Sequence, residues 1–120
     1  PRVPRITAIP TTLSAAEFAP YAGVTDKEAG RKRRFTSAMQ VPIAVLLDPA
    51  ATLETPAELL LSSGIRAVDH CVERWCSTAA VPFSDAVSLQ AMRMLAESLP
   101  AIHRDPGDMA ARALAQQAMW

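Results

Sequence analysis

The pattern of apolar residues changes once along this chain, at Asp48-Pro49, and that change limits the folds open to it. Before it, apolar residues come in short runs broken by Pro, Gly and Thr; after it, they recur at spacings of three and four over long stretches. A residue that precedes proline is pushed out of the helical region, so Asp48 marks the boundary between a β-containing half and a helical half. The fold class is therefore α/β, with short strands first and helices after.

In the first half, residues 5–12 set Ile6 and Ile9 among β-favouring threonines and run through Pro10, which predicts a short strand feeding a loop. A second strand is expected over Ala19 to Thr25, a turn over Asp26 to Gly30, and a third short strand over Arg31 to Phe35. Pro42 to Leu47 reads as a buried strand because Ile43, Val45, Leu46 and Leu47 run together. In the second half, Thr55 is placed to cap a helix with Pro56 at its first position and Glu58 at its third. Leu61, Ile65, Val68, Val72 and Trp75 then form one narrow stripe, with His70 almost opposite it between Arg66 and Glu73. Ser84 is expected to cap a second helix that buries Val87, Ala91, Leu95 and Leu99 or Ile102, and Pro100 to kink or end it. Asp108 is placed to cap a third helix, Met109 to Trp120, whose alanines give propensity but a weak stripe.

Composition narrows the function. The chain has 120 residues, half of them apolar, enough for about one domain. Twelve basic residues balance twelve acidic ones, so no global field holds a polyanion, and a dedicated nucleic-acid binder is not expected. Residues 1–50 carry seven bases against four acids and residues 51–120 five against eight, giving +3 and −3 for the halves. Cys71 and Cys76 lie five apart in one predicted helix, a spacing that suits neither a disulfide nor a zinc knuckle, and they read as reduced thiols of a cytoplasmic protein. No apolar run reaches the ~20 residues a membrane span needs. Starting at Pro1 and stopping at Trp120 within an amphipathic pattern, the chain reads as a piece of a longer protein.

Three ordered segments carry a resemblance. Ile9-Pro10-Thr11-Thr12-Leu13-Ser14-Ala15-Ala16-Glu17 is similar to an I-P-T-T loop running to a glutamate; Gly30-Arg31-Lys32 is followed by Pro42 and the strand end Leu47-Asp48-Pro49; and Thr55-Pro56 leads to Ser63-Gly64-Ile65-Arg66-Ala67-Val68-Asp69-His70-Cys71-Val72-Glu73. Together they resemble the iron-containing alcohol dehydrogenase and maleylacetate reductase family. The resemblance implies that residues 1–50 are the C-terminal part of a Rossmann-like dinucleotide-binding domain. Residues 51–120 would be the N-terminal part of an all-helical antiparallel domain of the dehydroquinate-synthase type. It implies a fragment of an NAD(P)-dependent oxidoreductase, inactive alone, that moves hydride between nicotinamide and a carbonyl or alcohol carbon. The partners implied are NAD or NADP, a small alcohol, aldehyde or oxo acid, and the remainder of the enzyme, with no nucleic acid and no membrane; a homodimer is the expected assembly.

The resemblance also assigns residues. Thr11, Thr12 and Lys32 fall on the cofactor side, and His70 falls on the helix that supplies the first metal ligands, where it ligates iron or zinc or donates a hydrogen bond to a developing alkoxide. The iron-dependent branch carries Asp-x-x-x-His on this helix, and here the carboxylate position is Arg66. A guanidinium cannot ligate a cation, and Asp69 is about 100° around the helix from His70. The loop from Thr12 to Glu17 is also one residue shorter than the metal-dependent version, and both departures favour the maleylacetate reductase branch or a neighbour of it. Arg66 in the same cleft would bind a substrate carboxylate with a bidentate fork; the blander alternative is an ion pair with Asp69 or Glu73. A basic run such as Arg31 to Arg34 is more often a solvated hairpin edge than a ligand site. His103 reads as a helix-dipole partner, and Met92, Met94, Met109 and Met119 as core filler. The competing class is a non-catalytic helical interaction domain whose exposed apolar faces drive self-association.

Overall fold

The computed structural model describes residues 5–120. Every strand precedes Asp48 and every long helix follows it, as the change of pattern predicts. β1 (Thr7–Ala8) and β4 (Ala44–Val45) pair in parallel, Thr7 opposite Ala44 and Ala8 opposite Val45. The Ile43 and Leu46 amides extend the ladder by donating to the Ile6 and Ala8 carbonyls, each at 2.9 Å. β2 (Tyr21–Asp26) and β3 (Arg31–Thr36) form an antiparallel hairpin in register from Tyr21 opposite Thr36 to Asp26 opposite Arg31. Its turn closes as the residues demand: the Asp26 carboxylate accepts from the Ala29 amide at 3.0 Å, and Gly30 takes the left-handed φ of 61° that a side chain disfavours.

Asp48 ends the strand half by accepting from the Ala50 amide, which starts a single 3₁₀ turn over Pro49–Thr52. Three helices follow: α1 (Ala57–Trp75), α2 (Pro82–Arg104) and α3 (Met109–Met119). α2 packs against both others. Leu60 and Ala67 of α1, Leu95, Leu99 and Ile102 of α2, and Ala111, Ala115, Ala118 and Met119 of α3 form one core, which Leu13 enters from the loop after β1.

Four expectations are corrected. The run Pro42 to Leu47 is not a buried strand: β4 has two residues, Ile43 and Leu46 are exposed, and only Leu47 packs against the core. A two-stranded parallel ladder offers one face to the helices and leaves the other uncovered, whereas parallel strands are ordinarily covered on both. The stripe Leu61, Ile65, Val68, Val72 and Trp75 is not the core face of α1. Ile65 is 61% exposed, and Val72 and Trp75 are about half exposed. The buried residues are Leu60, Gly64 and Ala67, about a quarter-turn away. Small side chains let α1 settle closely onto Leu99 and Leu13, and that close approach outweighs the larger apolar residues beside it. Thr55 does not cap α1. Pro56 holds the cap position, and the Thr55 hydroxyl donates instead to the Thr11 carbonyl at 2.8 Å. Ser84 lies three residues inside α2 from its cap, Val81, accepting from the Val81 amide and donating to its carbonyl, while Val87 stays exposed.

A fifth correction is that Pro100 does not end α2, which continues to Arg104 with the proline exposed. The other end signals operate as the residues predict. Asp108 accepts from the Ala111 amide at 2.9 Å, and His103 and Arg104 sit exposed in the last turn of α2. Met119 is core and Met94 lies against it, while Met109 is partly exposed. Both cysteines are free; Cys71 packs beside the core, where burial pushes its thiol up from its ordinary value, and Cys76 is exposed. Two polar side chains of α3 are buried. Arg112 donates to the Thr52 carbonyl and hydroxyl at 2.8 and 2.7 Å and to the Pro106 carbonyl at 2.8 Å. Gln116 donates to the Asp48 carbonyl at 3.1 Å and the Pro10 carbonyl at 3.4 Å.

Arg112→Ala strands buried oxygens of Thr52 and Pro106, and urea unfolding is expected to register a loss of about 2–4 kcal/mol; a loss below about 0.5 kcal/mol would show the contacts to be idle. Gly64→Ala places a methyl 2.4 Å from Leu99 Cδ2 and 3.2 Å from Leu13 Cδ1. The same measurement is expected to give about 1–3 kcal/mol of destabilisation, despite alanine's better helix propensity.

Candidate functional site

The loop after β1 is fixed to α1 before it reaches the candidate site. Thr55 donates to the Thr11 carbonyl, and the Leu13 amide donates to the Ser63 hydroxyl at 2.9 Å, while the Leu13 side chain is fully buried. Thr12 is half-buried with its hydroxyl 3.1 Å from that of Ser14. Ala15 then adopts a left-handed conformation, φ 56° and ψ 20°, which costs an L-residue roughly 1 kcal/mol. It turns the chain into a short 3₁₀ segment over Ala16–Phe18 that leads to β2.

That segment faces His70. Ala15, Phe18, Ala19 and Tyr21 form one wall of a cleft of about 280 Å³, His70 and Cys71 of α1 form another, and Val87, Ser88 and Trp120 complete it. The His70 side chain is 41% exposed, a rim position, neither core nor bulk solvent. Its Nδ1 lies 3.3 Å from Glu73 Oε2, one turn further along α1. With that nitrogen engaged, Nε2 is the atom left to face a ligand.

Arg66 lies one turn before His70, and its guanidinium is paired with Asp69 and lies 4.0 Å from Glu73. The ion pair of the blander alternative is thus what forms, and Arg66 is engaged by its own helix. Among the described residues, no three His, Cys, Asp or Glu side chains converge to hold a metal. The donor set at this place is His70 beside a guanidinium, which would repel a divalent cation, and these residues do not fit one.

Lys32 lies on β3, away from His70. Its chain folds over Gly23 of β2, so closely that a methyl at Gly23 would meet Lys32 Cε at 2.5 Å. Lys32, Arg34, Tyr21 and Gly23 share one face of the hairpin, with Arg34 directly opposite Gly23. The Arg34 guanidinium lies over the Tyr21 ring, 4.0 Å from its centroid. On the other face Arg33 meets Asp26 at 3.9 Å. The structure thus brings the loop carrying Thr11 and Thr12 and the helix carrying Arg66 and His70 together, with Lys32 on a neighbouring surface joined to the cleft through Tyr21. Arg34 and Tyr21 lay outside the sequence-derived set. Their signal was the β2–β3 register, which single-residue motifs do not contain.

Known proteins match the chain along nearly its whole length. Maleylacetate reductase of Sphingobium indicum is 34% identical over 115 residues, covering 93% of this chain and 31% of that relative. An iron-containing alcohol dehydrogenase of Thermotoga maritima, a crystal structure, superposes with a TM-score of 0.81 at 35% identity, over 96% of this chain and 31% of that one. Sulfoacetaldehyde reductase of Bifidobacterium kashiwanohense, solved in complex with NAD⁺, shares the fold with a TM-score of 0.90 at 24% identity, over 96% and 31%. The chain spans about a third of the length of the relatives it matches. The Fe-containing alcohol dehydrogenase family, C-terminal, matches residues 60–120, the stretch that holds α1 from Leu60 on, with Arg66 and His70, and all of α2 and α3. With the α/β order, the loop pinned to α1 and the histidine-bearing cleft all in place, the chain belongs to the Fe-containing alcohol dehydrogenase family.

Proposed function

We propose that this chain is the central part of an NAD(P)-dependent oxidoreductase that reduces a carbonyl or oxidises an alcohol, within the maleylacetate reductase branch. Residues 1–50 would close the dinucleotide-binding domain and residues 51–120 would open the helical domain. The observation that carries the reading is the cleft between them. His70 stands at its rim on the helix matched to the family, and the loop segment Ala15 to Tyr21 faces it. The exposed apolar residues Ile43 and Leu46 along β4 also suit a strand ladder that continues into further sheet. Cytoplasmic location fits a chain in which, among the described residues, no helix is long and apolar enough to cross a membrane.

A bound nicotinamide would supply or accept the hydride. The residues of this chain do the remaining work. The imidazolium form of His70, its Nδ1–H held by Glu73 so that the ring keeps its orientation, donates a proton from Nε2 to the oxygen that becomes an alkoxide. Thr11 and Thr12 offer hydroxyls beside the cofactor from a loop that cannot shift without breaking its bonds to Thr55 and Ser63. Lys32 supplies a cation for a phosphate or ribose of the dinucleotide. Arg66 stands one turn before His70, where a guanidinium repels a divalent cation, and the roles given to these residues do not depend on one.

In the complete enzyme, His70→Ala is expected to lower kcat by about 10²-fold or more at an unchanged dinucleotide KM; turnover at the parent level would remove His70 from the reaction. Lys32→Ala is expected to raise the dinucleotide KM roughly tenfold with kcat little changed, consistent with loss of one charge-assisted contact. A fall in kcat alone would place Lys32 elsewhere.

A further inference from the structure

We infer that the Ser88 hydroxyl is a specificity-determining contact in the His70 cleft, where it takes an uncharged oxygen substituent on the substrate carbon next to the reacting one. The inference rests on the reading of that cleft as the reaction site. The serines of the two long helices carry it. Ser62, Ser63 and Ser84 turn their hydroxyls back on their own helix, donating to the carbonyls of Leu59, Leu60 and Val81. The Ser98 hydroxyl is sealed from solvent without a partner, so no ligand reaches it. Ser88 differs from all four. It is only 7% exposed, and it stands in the wall of the cleft that holds His70. No hydrogen bond among the described residues engages its hydroxyl, which is nevertheless not one of the sealed oxygens. The open side of this residue is the cleft.

A hydroxyl left unbonded in a mainly apolar wall is a cost that alanine, the better helix former, would avoid. A ligand oxygen removes that cost. His70 and Ser88 enter from α1 and α2, which pack together, and Ala67 and Ala91, three residues from each along the same helix face, line the same cleft. Alanines take little room, so a small molecule fits between imidazole and hydroxyl, and about 280 Å³ suits a substrate of a few carbons. The other polar groups of the wall are poorer candidates. Tyr21 is 45% exposed and open to water, and the Cys71 thiol is a weak donor. Ser88 is neutral, and its hydroxyl both donates and accepts, so the group it matches is a second hydroxyl.

The test is Ser88→Ala in the complete enzyme, assayed with 2-hydroxypropanal and 2-methylpropanal, which match in size and differ in a hydroxyl for a methyl. The variant is expected to lose roughly 3–10-fold in kcat/KM for the hydroxy compound, the worth of one neutral hydrogen bond. For the methyl compound kcat/KM should stay within about twofold of the parent, as should the dinucleotide KM. The urea midpoint should be no lower than the parent's, because no bond within the fold is lost. A parent that reduces neither aldehyde, a loss as large on the methyl compound, no loss on either, or a lowered urea midpoint would each overturn the proposal; the last would show the hydroxyl bonded within the fold. His70→Ala, assayed with the same pair, separates this proposal from the one beneath it. If that variant is fully active while Ser88→Ala still loses the hydroxy compound alone, the Ser88 contact stands and the role of His70 falls. If it silences both reactions while Ser88→Ala changes neither, the reaction site stands and the Ser88 contact falls.

Discussion

The arrangement depends on a charge buried without an opposite charge. Arg112 is almost wholly enclosed, and the oxygens it meets are the Thr52 carbonyl and hydroxyl and the Pro106 carbonyl. Enclosing a guanidinium is costly unless its N–H groups find acceptors, so the 3₁₀ turn over Pro49–Thr52 must sit where α3 can reach it. Gln116, one turn on, fixes Asp48 and Pro10 in the same way. Gln116 thereby sets the strand half against the helical half, while Arg112 holds the turn that follows Asp48 and the α2–α3 turn to the same helix.

From the join the order of dependence runs outward. Pro10 and Asp48 hold the ends of the β1–β4 ladder, Thr55 and Ser63 hold the loop after β1, and Leu13 seals it into the core. The left-handed Ala15 then turns the chain toward His70. Strain of this kind survives only where the surroundings over-determine it, and here bonds to α1 and a buried leucine lie immediately before the strained residue. The wall that faces the histidine is thus positioned from well before it in the chain.

Much of this was legible in the sequence where one residue decides the outcome locally. Asp48-Pro49, the Asp26–Gly30 turn and the Asp108 cap act over three or four positions, and each behaves as its chemistry dictates. What was hidden is tertiary. The buried face of α1 consists of Leu60, Gly64 and Ala67, because small residues allow a close helix contact that hydrophobicity alone does not rank. Arg112 and Gln116 are buried on an alanine-rich helix by acceptors as far as 60 and 106 positions away, which no local pattern contains. Thr55 had a local cap available and took a long-range acceptor instead. At the site, the motifs marked the loop and the histidine helix, whereas Tyr21 and Arg34 emerge from strand register.

The pinning of Leu13 has a mechanical corollary. Its amide is bonded to Ser63 and its side chain fills the space above Gly64. Lifting this stretch of chain would expose an apolar side chain and break a hydrogen bond at once, so it serves as an anvil, not a flap. The hairpin is built in the opposite manner, with all of β3 exposed. The β-ribbon therefore keeps its shape through its own ladder and turn, whereas the loop keeps its shape through the helix it is sealed against.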